Sequence, residues 1–332
     1  MTTVIQYGVG AIGREIAKLL IERDHDVLGA IDQSDELIGR DLGELLGGSA
    51  MDVSIDDDAE RVLAHMADVV MHSTRSRLDE IAPDIRHVLA AGSNLISTCE
   101  ELAYPAYRHA GLAAEVHERA VKHGVTVLGT GVNPGFVMDY WPLVMSSACR
   151  RIDAIRVERA VDARQRRYPL QKKIGAGLSP EDFQKTVGSG GGHVGLAESV
   201  ALLAAGLRVE LDGIRETIEP VVADTPVASE FFQVDPGQVL GLHQQAHGTI
   251  QGQDVITLDL TMALGASNRD RVLIEGEPPL DVTVANGIHG DVATASVAVN
   301  MIPRVLEAPP GLVTMKDLPP AGSVVTGQLH QD

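Results

Sequence analysis

Gly8-Val9-Gly10-Ala11-Ile12-Gly13 follows directly on a short apolar strand, Val4-Ile5-Gln6-Tyr7, and opens a segment in which Ile12, Ile16, Leu19 and Leu20 share one helical face. A second strand, Val27–Ile31, ends in an acid, Asp32. A glycine triplet at this spacing, between a strand and a helix and followed by that acid, specifies a βαβ unit shaped to hold a dinucleotide. Gly8 permits the tight turn, Gly10 leaves room for a pyrophosphate against the backbone, and Gly13 lets helix and strand pack closely. The helix start offers unpaired N–H groups to the phosphates, so Gly8, Gly10, Ala11, Ile12 and Gly13 are candidate cofactor residues.

Asp32 is placed to accept hydrogen bonds from the adenosine ribose and to repel a 2′-phosphate. From Asp32 to Arg40 the acids are Asp32, Asp35 and Glu36 and the only base is Arg40. NAD is expected at least as readily as NADP, with Arg40 as the one residue in this loop that could meet a 2′-phosphate.

Apolar strands continue at 68–72, 94–98 and 125–128, separated by helical segments at 78–91 and 106–123. Unbroken apolar strands alternating with helices describe a doubly wound parallel sheet covered on both faces. Near residue 150 the pattern changes. Residues 152–158 and 255–264 alternate, Gln251-Gly252-Gln253 reads as a hairpin turn, and His193–Leu207 reads as a helix after three glycines. The expected fold class is α/β, a Rossmann domain over 1–145, plus a second α+β domain with a mixed or antiparallel sheet over 146–294 for substrate binding and oligomerisation. The segment 295–332 is expected to pack back on the first domain, and the substrate is expected between the two. The apolar side of Leu258, Leu260 and Met262 exceeds what one helix would cover, which predicts a homodimer or a larger oligomer.

The 332 residues carry 27 Lys plus Arg against 46 Asp plus Glu, a formal charge of −19 that repels phosphate backbones and removes nucleic acid as a partner. No apolar run approaches the roughly 18 residues of a membrane span. The start has no basic segment and no long apolar stretch, and Cys99 and Cys149 form no Cys-x-x-Cys or Cys/His cluster. A cytoplasmic protein with no structural metal is expected.

The C-terminal ends of parallel strands are where ligands of such folds bind. Ser73 and Thr74 follow one strand, and Thr98, Cys99, Glu100 and Glu101 follow the next. Glu100 and Glu101 are therefore candidate proton-transfer carboxylates, the alternative being capping at a helix start. Cys99 reads as a packing residue. In Gly129-Thr130-Gly131-Val132-Asn133-Pro134-Gly135-Phe136 the glycines allow close approach to a ligand, and the Asn133 amide suits a carboxamide or a substrate. The basic stretch from Arg164 to Lys173 is a carboxylate or phosphate clamp or a solvated loop. Arg159 is a second carboxylate candidate, Tyr140, Trp141 and Tyr168 suit an apolar amine, and Phe136, His193 and His289 are further candidates for the pocket wall.

The segments GVGAIGREIAKLL, IGRDLGELLG, NLISTCEELAYP, GTGVNPGFVMD, YPLQKKIGAGLSPEDF, GGHVGLAES and NGIHGDVATASVAVNMIPRVLEAPPGLVTMKDLP resemble the 2,4-diaminopentanoate dehydrogenase family and the related NAD(P)-dependent amine dehydrogenases, which belong to the dihydrodipicolinate reductase superfamily. The paired-His motif of the reductases proper, with its Lys and Ser-Gly-Thr, has no counterpart here. The resemblance implies reversible oxidative deamination of a small primary amine, or of a 2,4-diaminopentanoate-like amino acid, to a ketone and ammonia with NAD or NADP, and a Glu after the strand that precedes Glu100 and Glu101 as acid/base. A reductase-like or homoserine-dehydrogenase-like oxidoreductase is the alternative within enzymes, and a non-catalytic NAD(P) sensor the alternative outside them.

Overall fold

Strands made of Val, Ile and Leu with no polar alternation have to be covered on both sides, and the first of two compact units, Met1–Phe136 with the chain from Gly290 onward, does this. The computed structural model describes residues 1–324; of the expected returning segment, 325–332 lie outside the described residues. The unit runs β1 (Thr3–Tyr7), α1 (Ala11–Glu22), β2 (Asp26–Ile31), α2 (Leu42–Leu45), β3 (Ile55–Asp56), α3 (Ala59–Leu63), β4 (Val69–His72), α4 (Leu78–Ala90), β5 (Asn94–Ser97), α5 (Ala110–His123) and β6 (Thr126–Gly129). All pairings are parallel. The order is β15-β6-β5-β4-β1-β2-β3, where β15 (Gly311–Val313) comes from the end of the chain. Ile81, Ile85 and Leu89 of α4 and Val116 and Ala120 of α5 form one core with Ile5, Val70, Leu95 and Val127 of the strands. α1 packs on α10 (Gly290–Asn300), which α11 (Ile302–Glu307) follows.

The second unit, Val137–His289, contains α6 (Tyr140–Ser146), β7 (Arg151–Asp162), α7 (Tyr168–Lys173), α8 (Pro180–Thr186), α9 (Leu196–Leu207), β8 (Gly213–Val222), a small β9 (Val227–Ala228) and β10 (Gln233–Val234) ribbon, β11 (Val239–Ile250), β12 (Gln253–Ala263), β13 (Arg269–Glu277) and β14 (Leu280–Val284). Its six-stranded sheet has the order β14-β13-β7-β12-β11-β8 and is mixed, β12 running parallel to β7 and the other neighbours antiparallel. The β11–β12 hairpin turns at Gln251 and Gly252, both at positive φ, the requirement of a two-residue turn matched to strand twist. α6 packs on α9, which is why residues 137–145 go with the second unit.

Three local readings change. The helix expected from residue 106 starts at Ala110, because Glu100–Ala103 forms a 3₁₀ turn and Pro105 disfavours helical geometry at Tyr104. α9 starts at Leu196 after Gly195 at φ +100°, so His193 precedes the helix. The sheet face expected to await a partner is covered by the chain itself: Leu258, Leu260 and Met262 are buried, and α9 packs on β8, β11 and β12. The opposite face carries Arg156, Glu158, His243, Gln245, Asp259 and Arg271, linked by ion pairs and hydrogen bonds.

Candidate active site

The glycine turn is built by contact. Gly8 stands at φ +89°, and a Cβ there would collide with the Ser73 carbonyl; one at Gly13 would collide with the Gly8 carbonyl and stand 2.8 Å from Ser73 Oγ. At Gly10 a Cβ would meet nothing within 4 Å. Two glycines thus let β1, α1 and the loop after β4 close on one another, while the third borders open space at the N-cap of α1. That space, beside N–H groups with no side-chain cap, fits a pyrophosphate.

Asp32 lies at the end of β2. Its Oδ2 accepts the Val9 N–H at 2.6 Å and its Oδ1 accepts the Ser34 N–H at 2.9 Å, so the carboxylate pins the glycine turn and keeps its charge where an adenosine ribose would lie. Arg40 is exposed on the loop that follows. Ser73 Oγ donates to the Gly8 carbonyl at 3.0 Å and accepts from Gln6 Nε2 at 3.0 Å, a clamp on the turn from the next strand. Thr74 lies against Gly8 through its methyl group, and the Thr98 N–H donates to the His72 carbonyl at 2.9 Å. These residues gather at the C-terminal edge of one parallel sheet.

The two carboxylates after β5 point to different work. Glu101 is 3% exposed. Its Oε2 accepts the Leu78 N–H and His109 Nε2, each at 2.8 Å, and its Oε1 lies 3.7 Å from Arg77 Nη1. Arg77, at the N-cap of α4, offers no side-chain cap, and Glu101 supplies the missing acceptor from another element. Glu100, the next side chain on the 3₁₀ turn, is half-buried. Cys99 is buried, and burial pushes its thiol well above the ordinary value, with no activating base. Gly129 was expected to admit a ligand; a Cβ there would collide with the Leu102 carbonyl, so it admits the backbone of the Glu100–Ala103 turn. The loop after β6 is tied down by the Val132 N–H, which donates to Thr294 Oγ1 at 3.3 Å, and Asn133 and Phe136 on it are half-buried.

In the second unit Arg159 is engaged. Its guanidinium donates to Asp270 Oδ1 at 2.7 Å and to the Ile288 carbonyl at 2.9 Å, while Asp270 Oδ2 accepts the Ile288 N–H at 2.7 Å. Burial depresses the Arg159 pKa and raises that of Asp270 against their mutual attraction. Arg159 therefore fixes the loop that carries the exposed His289 instead of standing open to a carboxylate. Arg164 is likewise held by Asp162, Nη2 to Oδ2 at 2.6 Å. Tyr168 is half-exposed and stacks on Phe232, with centroids 5.7 Å apart and planes at 6°, and meets Phe231 edge-on at 5.9 Å. Trp141 is half-buried on α6. The backbone of His193 is clasped by the buried Gln244 side chain, which accepts its N–H at 2.8 Å and donates to its carbonyl at 3.0 Å. Phe231, Phe232 and Gln244 escaped the sequence reading. Gln244 carried a signal, a polar residue in register with Leu242 and Ala246 on the buried side of β11.

Among the described residues no group of three or more His, Cys, Asp or Glu side chains is placed to hold a metal, and no helix is long and apolar enough to cross a membrane.

Residues 136–331 match the 2,4-diaminopentanoate dehydrogenase C-terminal domain. The 2,4-diaminopentanoate dehydrogenase of Acetoanaerobium sticklandii is 30% identical over 95% of this chain and 93% of its own. The chain belongs to the 2,4-diaminopentanoate dehydrogenase family. Consistent with this, residues 2–97 match the dihydrodipicolinate reductase N-terminus, the domain that bears the glycine turn. An amine dehydrogenase of Streptomyces virginiae is 27% identical, the match covering 96% of each chain. The structure of an amine dehydrogenase from Mycobacterium smegmatis superposes with a TM-score of 0.87 at 26% identity, covering 97% of each chain. The Rossmann unit and the mixed-sheet second unit are thus shared with that amine dehydrogenase.

Proposed function

We propose that the chain is an NAD(P)-dependent amine dehydrogenase. It takes a small primary amine in its ammonium form, NAD(P)⁺ and water to the ketone, ammonium, NAD(P)H and a proton, and runs in reverse as reductive amination. The observation that carries this reading is a single sheet edge bearing both an open glycine turn and a half-buried carboxylate, Glu100, in a chain related end to end to proteins with these two activities. When bound there, nicotinamide would supply the acceptor for hydride from the amine carbon. Gly8, Gly10, Ala11, Ile12 and Gly13 would hold the pyrophosphate, Asp32 the ribose, and Ser73, Thr74, Thr98 and Asn133 the nicotinamide side.

Glu100 takes the proton. An ammonium with a pKa near 10.4 must lose one before its carbon can give up hydride, and the carboxylate also stabilises the cationic imine that forms. Glu101 serves this step from behind: bound to Leu78 and His109, it holds the turn on which Glu100 stands. Asp32 favours NAD over NADP by charge, and kinetics with a hundredfold preference for NADP would refute that assignment.

The engagement of Arg159 by Asp270 favours a short primary amine, with Phe136, Trp141, Tyr168, His193 and His289 as wall residues. The end-to-end match to a 2,4-diaminopentanoate dehydrogenase favours the amino acid; comparing the two substrates decides. A cytoplasmic location fits two free cysteines. A homodimer is proposed on the ion-paired sheet face of the second unit, and a monomer by light scattering at micromolar concentration would refute it. The function as a whole is tested by amine-dependent reduction of NAD⁺ or NADP⁺ at alkaline pH.

A further inference from the structure

Below the cofactor edge of the first sheet lies a buried polar array that the reaction above does not use. His72 ends β4 and pairs in register with Ser97, which ends β5, and with Tyr7, which ends β1. The His72 ring is 1% exposed and Ser97 fully buried. Ser97 Oγ lies 2.9 Å from His72 Nδ1 and accepts the Cys99 N–H at 3.1 Å. His72 Nε2 lies 3.3 Å from Asp84 Oδ2 and 3.0 Å from Thr74 Oγ1, and Tyr7 donates from its hydroxyl to Asp84 Oδ1 at 3.0 Å.

One assignment of protons satisfies the chain. The Cys99 N–H donates to Ser97 Oγ, the Ser97 hydroxyl donates to His72 Nδ1, and the Nε2–H faces both Thr74 Oγ1 and Asp84 Oδ2. The order hydroxyl, imidazole, carboxylate is that of a hydrolytic triad, but a nucleophile must be reached by substrate, and this hydroxyl is buried and occupied by a backbone N–H. The array is a brace. Its far end is the amide of Cys99, one residue before Glu100.

We propose that His72 is a positioning residue: through Ser97 it fixes the Cys99 amide, and so the Glu100 carboxylate, relative to the loop after β4 that carries Ser73 and Thr74. This rests on the reading that Glu100 handles the substrate proton. Displacing a catalytic group by about an ångström costs on the order of 10²-fold in rate; the sheet ladder reaches only to the Thr98 N–H on the His72 carbonyl, and Cys99 beyond it is held by Ser97 Oγ.

Two conservative pairs test it. Ser97→Ala deletes the link and Ser97→Thr retains a hydroxyl. An asparagine amide reaches the place of Nδ1 and a glutamine amide that of Nε2, so His72→Asn keeps the contact to Ser97 while His72→Gln keeps only that to Asp84 and Thr74. Ser97→Ala and His72→Gln are expected to lower kcat by roughly 10–100-fold with KM for NAD changed by less than about twofold, and Ser97→Thr and His72→Asn to recover most of it. Hydrogen exchange read by mass spectrometry should quicken at residues 99–101 in the two deleting variants.

Unchanged kcat in Ser97→Ala overturns the proposal. So does a loss equal in His72→Asn and His72→Gln, or a loss expressed in KM for NAD, which would make the array a support of the cofactor loop. Should Ser97→Ala not fold, the His72 pair decides. If the wild type shows no amine activity the functional reading fails by itself, and the brace is then judged on exchange alone: quickened at 99–101 it stands, unchanged it falls.

Discussion

Replacing Glu100 and Glu101 singly by Gln should separate a chemical role from a structural one. At Glu101 the change removes a charge that accepts two hydrogen bonds of 2.8 Å in a side chain 4% exposed. A charged acceptor is worth about 1.5–3 kcal/mol per bond and a neutral one about 0.5–1.5, so each bond loses about 1 kcal/mol and the pair about 2. Burial leaves little solvent to screen that loss, whereas Arg77, half-exposed at 3.7 Å, adds little. In a unit of this size about 2 kcal/mol corresponds to a fall in Tm of roughly 4–8 °C. Glu100→Gln should lower kcat for amine oxidation by roughly 10²–10⁴, the usual worth of a positioned acid or base, with KM for NAD little changed. Thermal unfolding by circular dichroism and steady-state kinetics on the same preparations give both numbers. If Glu101→Gln keeps its Tm and loses turnover while Glu100→Gln keeps both, the two roles are exchanged and the reasoning from the Leu78 and His109 bonds is wrong.

The glycine turn gives a second contrast: Gly10→Val should fold with an unchanged Tm and lose NAD binding by calorimetry, because its side chain enters open space, whereas Gly13→Ala, forced against the Gly8 carbonyl, should lower stability by about 1–3 kcal/mol as well as weaken binding. Gly10→Val with wild-type affinity would remove the pyrophosphate from this turn. In the second unit Asp270→Asn leaves the Arg159 guanidinium buried beside a neutral partner and should cost about 3–5 kcal/mol in denaturant unfolding; a cost under about 1 kcal/mol would mean that the pair opens readily and that Arg159 is available to a substrate.

The cofactor half was legible because its signals are local. The glycine spacing, the first two apolar strands and the acid after β2 all lie within about thirty residues, and each has one steric or electrostatic reason. The second unit was not, because its deciding partners are distant in the chain. Arg159 shares the parity of Val157 on β7 and so points inward, but nothing in the sequence reveals that Asp270, on β13, will receive it. The apolar side of β12 suggested an awaiting subunit because one helix seemed too little to cover it, yet its own unit closes over Leu258, Leu260 and Met262. Adjacent glutamates are alike as sequence; burial and the partners Leu78, at the N-terminus of α4, and His109 single out Glu101.

The central claim, that this chain oxidises a primary amine with a nicotinamide cofactor, is tested most directly by incubating the purified full chain at alkaline pH with NAD⁺ or NADP⁺ and either a short alkyl amine or 2,4-diaminopentanoate, while following the absorbance of the reduced nicotinamide. The account predicts reduction that depends on the amine and rises with pH as the neutral amine accumulates, and consumption of NADH or NADPH when ketone and ammonia are supplied together. Failure of both substrates in both directions, by a folded protein that binds the cofactor, would contradict it.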